Sequence, residues 1–310
     1  MALCFLRLFC IITVIFSSCI LAEPIKIYGR AHLGLLNSDI GQGNETSIEN
    51  YSSRLGVKGY TQIGKNLEAV YKFEFAVNID NNADTLTSRN QYVGLKGNFG
   101  QVVIGRHDTA LKVSQGKLDV MNDFSGDLKS FFNGDNRLGD VMHYSSPKLG
   151  ELQLIVTYVA DKNEKQNDET GISMAAVYGD SKLKKTTYYI SVAHDSKVAG
   201  YDISRATVQG KVGPLVLGAM YQEAKNIDTD ISAEGYLVSA SYKIDKYKLL
   251  AQYQDNDGIF GKLKDSGTGA SVGIERSVSK KIRMYMWYTQ FSLDGKNNQD
   301  HLALTLRYDF

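Results

Sequence analysis

LEAVYKFEFAV, residues 67–77 of the chain, indicates the class of fold because its apolar and polar residues alternate. Tyr71 and Phe73 fall on one face of an extended chain, and Lys72 and Glu74 fall on the other. A period of two residues is typical of a β-strand with one apolar face. The same alternation recurs in segments that begin at Leu152, Leu215, Tyr236, Tyr247 and Leu302.

The gaps between these segments alternate in length. Short gaps, which suit tight turns, fall at 63–66, 148–150, 213–214 and 245–246. Longer polar gaps fall between them, at 38–49, 79–87, 107–136, 161–170, 226–232, 256–266 and 293–300. Counting the segments predicts about sixteen strands between residue 25 and Phe310. Short turns at one end and long loops at the other are the layout of a transmembrane β-barrel.

Composition favours a closed barrel over a soluble β-sandwich or lectin-like domain, whose strands also alternate. The chain has 29 Gly and 19 Tyr but only 3 Pro, and proline would interrupt a long antiparallel ladder. The segments run to about ten residues, longer than most strands of soluble proteins. Tyrosines recur at segment ends, where an interfacial girdle would need them. So many strands would also leave exposed edges unless the sheet closed on itself.

The first 22 residues have the pattern of a secretory signal peptide, with Arg7, an apolar core and Ala22 before the expected cleavage site. The core is too short for a retained transmembrane helix. A lipoprotein signal with Cys19 as the lipidated residue is the other alternative. Cleavage would remove all 3 cysteines and Arg7, so 34 basic residues would balance 34 acidic ones. That balance gives no indication of a nucleic-acid partner.

Four motifs in order resemble the general-diffusion porins of Gram-negative bacteria. They are Ile27-Tyr28-Gly29-Arg30, residues 51–59, residues 88–96 and Gly105-Arg106. The resemblance implies an all-β, sixteen-stranded antiparallel transmembrane barrel over residues 23–310. It also implies a water-filled channel for small hydrophilic solutes, without a cofactor. Such a protein would be a homotrimer in the outer membrane, in contact with lipid and lipopolysaccharide. The stretch Asn90–Lys96 alternates poorly, which is consistent with a subunit contact.

In this family the loop after the fifth strand folds into the barrel and narrows the pore. The matching segment here is 107–136, whose acidic tip departs from the family motif and lacks its proline. The resemblance assigns the negative side of the constriction to Asp119 and Asp123. It assigns the positive side to four wall residues, Arg30, Arg54, Arg89 and Arg137. Secondary candidates are Lys72, Arg106 and Asp127. Arginine stays charged at any working pH, so such a wall keeps its charge.

The last segment alternates and ends in Tyr308-Asp309-Phe310. Tyr308 and Phe310 resemble the signal that outer-membrane barrels present to the barrel-assembly machinery.

Some features of the sequence suggest functions other than a general channel. Gly269-Ala270-Ser271-Val272-Gly273 matches a nucleophile-elbow pattern, but that motif needs a strand-turn-helix setting and this one lies inside a predicted strand. The 5 histidines are scattered without metal-ligand spacing. A substrate-selective channel, or a surface adhesin or antigen on the same barrel, remains an alternative, whereas a barrel protease or phospholipase would need a convergent nucleophile set.

Overall fold

A computed structural model describes residues 25–80, 85–166 and 168–310. The predicted signal peptide, residues 1–22, and its cleavage site lie outside these residues. The described chain is almost entirely β-structure. Its strands are β1 (Lys26–Asp39), β2 (Asn44–Asn50), β3 (Arg54–Gly64), β4 (Leu67–Val77), β5 (Leu86–Gly97), β6 (Gly100–Asp108), β7 (Arg137–Ser145), β8 (Leu152–Val159), β9 (Gly171–Gly179), β10 (Tyr188–Val198), β11 (Tyr201–Val212), β12 (Leu215–Asn226), β13 (Ser232–Ile244), β14 (Tyr247–Asn256), β15 (Gly267–Ser277), β16 (Ile282–Leu293) and β17 (Gln299–Asp309).

From β3 onward each strand pairs antiparallel with the next in sequence, and β1 pairs with β17, so the sheet closes into a barrel. β2 and β3 both pair with β1 and are separated only by residues 51–53. Ser52 adopts a left-handed conformation there, with φ of 61°, and Tyr51 N donates to His32 O at 2.8 Å. The two segments are therefore one barrel strand with a kink. The predicted sixteen-stranded antiparallel barrel is confirmed.

The outward face carries the apolar residues that the alternation predicts. Leu217, Val238 and Leu304 are each 42–53% exposed, and their neighbours along the strand turn inward. Tyrosines mark both margins of this apolar band. One margin carries Tyr221, Tyr236, Tyr253 and Tyr288, and the other carries Tyr242, Tyr247 and Tyr308. Two aromatic margins around an apolar band are the outer surface of a membrane barrel.

The two ends of the barrel differ in loop length, with three exceptions to the predicted pattern. The predicted polar gap 38–49 contracts to the four-residue connection 40–43, because Asn44–Asn50 forms β2 and pairs with β1. The connection 180–187 lies at the end that otherwise carries short turns, but it is eight residues long. The opposite end has a two-residue turn at Ala199-Gly200, where φ is 53° and 83°. Consecutive positive φ values are those of the tightest hairpin turn. Following the usual orientation of such barrels, we call the end that contains 180–187 the periplasmic end.

Residues 109–136 form an inner loop that lies inside the barrel. It begins with a short helix, α1 (Ala110–Ser114), and includes a 3-10 turn at Leu128–Ser130. α1 packs against β8, β9 and β10. Further along, Leu118, Leu128, Phe131 and Phe132 are buried with Leu237 and Phe291 of the wall. No helix among the described residues is long and apolar enough to cross a membrane.

Candidate functional site

Polar side chains on the inner wall hold the backbone of the inner loop. Ser239 Oγ donates to Leu118 O at 2.7 Å. Val120 N donates to Gln252 Oε1 at 2.9 Å, and Gln252 Nε2 donates to Gly126 O at 2.8 Å. A buried loop needs such partners because its backbone groups are removed from water. A Cβ on Gly126 would lie 2.3 Å from Ser271 Oγ, so only glycine allows this approach.

The tip of the inner loop ends in an aromatic cluster. The Phe124 ring lies 5.2–5.6 Å from the rings of His32, Tyr51, Tyr285 and Trp287. These partners come from β1, β16 and the β2–β3 kink, which explains why Tyr51 points inward. Each aromatic pair at such a separation stabilises the folded structure by about 0.5–1.5 kcal/mol, in addition to the stabilisation from burying its apolar surface. The cluster fixes the loop tip against one side of the wall.

The residue before Phe124 meets two of the predicted arginines. Asp123 Oδ2 lies 3.3 Å from Arg30 Nη1 and 3.6 Å from Arg54 Nη2. Arg30 and Arg54 face each other across β1 and β3. Burial raises the pKa of Asp123, but Arg54 and Arg30 outweigh burial, so the pKa lies below its ordinary value. Asp123 therefore carries its negative charge at neutral pH.

Arg89 and Lys72 both contact Glu74, a wall carboxylate that is not among the predicted site residues. Glu74 accepts from Arg89 Nε at 2.8 Å and from Tyr28 Oη at 2.7 Å. Lys72 Nζ lies 3.3 Å from the same carboxylate. Glu74 shares the inward face of β4 with Lys72, two residues away. That shared face was the sequence signal that could have found it.

A third group of charges surrounds Arg137. Its Nε lies 3.0 Å from Asp108 Oδ1 and donates to Asn90 Oδ1 at 3.0 Å. Lys112 of α1 bridges Asp108 and Asp135, each at 3.2 Å. The four predicted arginines are therefore all on the inner wall, on β1, β3, β5 and β7. Their acidic partners within the described residues are Asp123, Asp309, Glu74 and Asp108.

Asp119 is placed differently from the expectation. Its two oxygens accept from Met121 N at 2.9 Å and Leu128 N at 3.0 Å, so it braces the loop rather than facing the arginines. Burial and neighbouring Asp127 raise the pKa of Asp119. Asp127 itself caps the 3-10 turn by accepting from Lys129 N at 2.9 Å. The sequence could not distinguish these carboxylates from Asp123, because the difference depends on how the loop turns.

Arg106 lies 3.9 Å from Glu164 in the connection between β8 and β9, apart from the loop tip. Ser271 lies within β15 and shares a 2.8 Å hydrogen bond with Thr289 Oγ1, so the nucleophile-elbow sequence forms part of a strand. On the inner loop, the exposed side chains are Val113, Lys117 and Asn122. The exposed face of the loop is therefore basic or neutral apart from Asp123.

The sequence comparison agrees with this architecture. The family model described as Gram-negative porin matches residues 10–296. The chain belongs to the Gram-negative porins. Among curated porin relatives, the major outer membrane protein P.IB of Neisseria meningitidis serogroup B is 28% identical over 286 residues, 90% of this chain and 67% of that protein. A monosaccharide porin from a Halomonas species is 24% identical over 205 residues, 60% of this chain and 55% of that protein.

Solved porin structures share the fold. The anion-selective porin from Comamonas acidovorans superposes with a TM-score of 0.73 at 19% identity, covering 93% of this chain and 100% of that one. Salmonella typhi OmpF, in complex with daunomycin, gives a TM-score of 0.74 at 17% identity, covering 93% and 98%. A trimer form of OmpT from Vibrio cholerae gives 0.69 at 16% identity, covering 93% and 100%. The chain spans 63% of the length of the first P.IB relatives that it matches.

Proposed function

We propose that this porin is a passive, water-filled channel for small hydrophilic solutes and ions in the outer membrane, and not an enzyme. The observation that carries the proposal is the contact of Asp123 with Arg30 and Arg54 inside the barrel. Charged side chains on both the loop and the wall keep this part of the lumen wet. An apolar solute would have to disturb the ordered water there, so small polar solutes would pass preferentially.

The inner loop would set the width of this channel. It covers the inner wall from β8 to β17, so the remaining opening lies beside β3–β7. Arg54, Arg89 and Arg137 line that side, with Lys72 between them. The basic wall and Asp123 would together form the constriction. In this proposal Asp119 and Asp127 act on the opening indirectly, by holding the shape of the loop.

The proposal includes partners that the family suggests. A homotrimer is supported by the trimer form of the OmpT neighbour, and lipopolysaccharide would surround the outer rim. Removal of residues 1–22 would precede assembly. Phe310 would present the assembly signal, since its backbone N and O pair with Gly29 of β1 at 3.1 Å each. This seam makes the terminal strand a requirement for closure.

Conductance across a planar lipid bilayer tests the channel. The folded protein is expected to give stepwise current increases in KCl that scale with salt concentration, as for a wet pore. A barrel that inserts but stays closed at all voltages would contradict the proposal. A substrate-selective channel would differ, because one solute at low concentration would block the current while others of similar size would not.

A further inference from the structure

The lumen on the periplasmic side of the inner loop is a cavity of about 1060 Å³ with an unbalanced charge. Ten basic side chains line it against four acidic ones. Three of the four acids are already engaged. Asp123 contacts Arg30 and Arg54, Asp119 accepts backbone N–H groups, and Glu275 lies 3.4 Å from Arg283.

Seven of the ten basic residues are lysines, and none of these seven forms a salt bridge among the described residues. The lysines that form salt bridges among the described residues all lie elsewhere, for example Lys72, Lys112 and Lys129. Those in the cavity include Lys117, Lys182, Lys184, Lys211, Lys243 and Lys248. Burial and the nearby charge of Lys182 lower the pKa of Lys117. The cationic charge of this cavity is therefore left for a mobile counterion.

The long periplasmic connection 180–187 brings two of these lysines into the cavity. Asp180 accepts from the backbone N–H groups of Lys182, Lys184 and Lys185, each at 3.0 Å, and these bonds lower the pKa of Asp180 to about 2. Leu183 is 6% exposed although its φ is 51°. A leucine in the left-handed region is strained, and burial of its side chain offsets that cost. The connection is thus a turn held by the hydrogen bonds of Asp180 and by the buried side chain of Leu183.

Strand pairing shows the same accumulation of positive charge. Lys243 lies directly opposite Lys248 across β13 and β14, and Arg283 lies opposite Arg307 across β16 and β17. Like charges directly opposite each other destabilise a sheet. Asp309 bridges the second pair, since it lies 3.3 Å from Arg283 Nη1 and 2.9 Å from Arg307 Nε. The Lys243–Lys248 pair forms no salt bridge among the described residues, and the turn beside it adds two more lysines, so stability alone would not favour this arrangement of lysines.

Resting on the proposed channel function, we propose that this cavity is a binding vestibule for oxyanions that carry two or more negative charges. A sphere of 1060 Å³ has a radius of about 6 Å, shorter than the screening length of roughly 10 Å in 0.1 M salt. An anion at the centre therefore interacts with several lysines at once. Attraction grows with the charge of the anion, so phosphorylated or dicarboxylate solutes are retained where chloride passes.

Titration calorimetry on the folded barrel in detergent tests the vestibule without requiring conduction. Inorganic pyrophosphate and succinate are the probes, with acetate as the singly charged comparison. Pyrophosphate is expected to bind more tightly than acetate, and binding is expected to weaken as salt rises. Binding of pyrophosphate without succinate assigns the site to phosphoryl groups, and binding of both assigns it to multivalent anions in general. Equal binding of pyrophosphate and acetate overturns the proposal.

Two pairs of substitutions locate the binding. The double variant K182Q/K184Q removes two positive charges from the connection 180–187. The double variant K243Q/K248Q removes two positive charges from the barrel wall. Each pair is expected to weaken pyrophosphate binding about tenfold, a change of roughly 1.4 kcal/mol. K65Q with K280Q is the matched control, since both are exposed lysines of periplasmic turns outside the cavity. Heat-modifiable migration in gel electrophoresis confirms that each variant folds.

The outcomes separate the two proposals. If both cavity pairs bind as wild type does, or if the control pair weakens binding equally, the vestibule is wrong even when the channel conducts. If the barrel binds pyrophosphate through these lysines but passes no current, the vestibule stands and the channel function fails.

Discussion

Asp123 Oδ2 lies 3.3 Å from Arg30 Nη1, so the tip of the inner loop contacts the basic wall directly. Contact of this kind neutralises part of the wall. Ion pairs that are still partly exposed stabilise only weakly. The contact therefore matters more for the charge of the lumen than for the stability of the barrel.

Replacing Asp123 with Asn is expected to shift selectivity toward anions, because Arg54 then loses its acidic partner and Arg30 keeps only Asp309. The reversal potential in a KCl gradient measures this shift. Asp230→Asn, in the external connection between β12 and β13, is the control and should move the reversal potential less. Screening over roughly 8 Å at physiological salt separates that site from the lumen. An unchanged reversal potential in Asp123→Asn would contradict the assigned role.

Replacing both Arg54 and Arg89 with Ser is expected to act in the opposite direction. The change removes two positive charges, releases Glu74 from its 2.8 Å partner and widens the opening. Selectivity should move toward cations, and single-channel conductance should rise. Arg276→Ser is a suitable control, because this arginine lies over the outward Tyr247 ring. The role of the arginine wall is falsified if the double variant and this control give the same selectivity.

The raised pKa of Asp119 predicts that docking of the inner loop depends on pH. Its pKa is raised by burial and by Asp127, so the protonated form is favoured in the folded loop. Protonated Asp119 therefore stabilises the docked loop fully at pH values below the ordinary carboxyl pKa. This stabilisation is lost as the pH rises through the raised pKa of Asp119 in the folded protein. The chain has 1 Trp, Trp287, stacked 5.2 Å from Phe124. Trp287 emission should shift to longer wavelength as pH rises.

Asp119→Asn, which mimics the protonated acid, should flatten that fluorescence transition, whereas Asp161→Asn in an outer connection should retain it. A transition of the same midpoint in wild type and Asp119→Asn would show that another group causes it.

Removing the aromatic anchor is expected to loosen the inner loop. Phe124→Ala should destabilise the docked loop by about 3 kcal/mol, the usual scale for deleting a packed phenylalanine. Conductance should become noisier and Trp287 more accessible to acrylamide quenching. Phe99→Ala, at an exposed periplasmic turn, provides the comparison. If Phe124→Ala shows the current noise and the acrylamide quenching of Trp287 that wild type shows, the hydrogen bonds alone hold the loop.

Phe310 is expected to be needed for assembly and not for conduction. Phe310→Ala should lower the amount of heat-modifiable, folded barrel in the outer membrane, while the molecules that do insert keep wild-type conductance. Phe310→Tyr keeps an aromatic terminus and should assemble normally. Wild-type levels of folded Phe310→Ala barrel would contradict a role in assembly.

The sequence alone could predict most of the barrel, because strand alternation depends on local pattern. The segment 67–77 and the final segment lie where the alternation placed them. The resemblance to porins located the inner loop and the four arginines. What the sequence did not indicate depends on tertiary packing. Asp119, Asp123 and Asp127 are three aspartates of the same loop that the sequence does not distinguish. Only the path of the folded loop determines which of them forms a salt bridge with Arg30.

The connection 180–187 was also missed. Its polar, lysine-rich sequence is typical of an exposed turn, and nothing local indicates that Leu183 is buried. Glu74 is a different case, since the alternation already put it on the inward face beside Lys72. Searching that face for the acidic partners of the predicted arginines would have found it.

The seam between β1 and β17 also governs how fast the barrel can form. Arg30 pairs with Asp309, and Gly29 pairs with Phe310, whose ring occupies the position of a side chain that Gly29 lacks. These partners come from opposite ends of the described chain, and such distant contacts form slowly. Until they form, β1 presents an unpaired edge on which a second chain could pair. Ring closure is thus expected to be the slow step, and a chain waiting for it is the species most prone to aggregate.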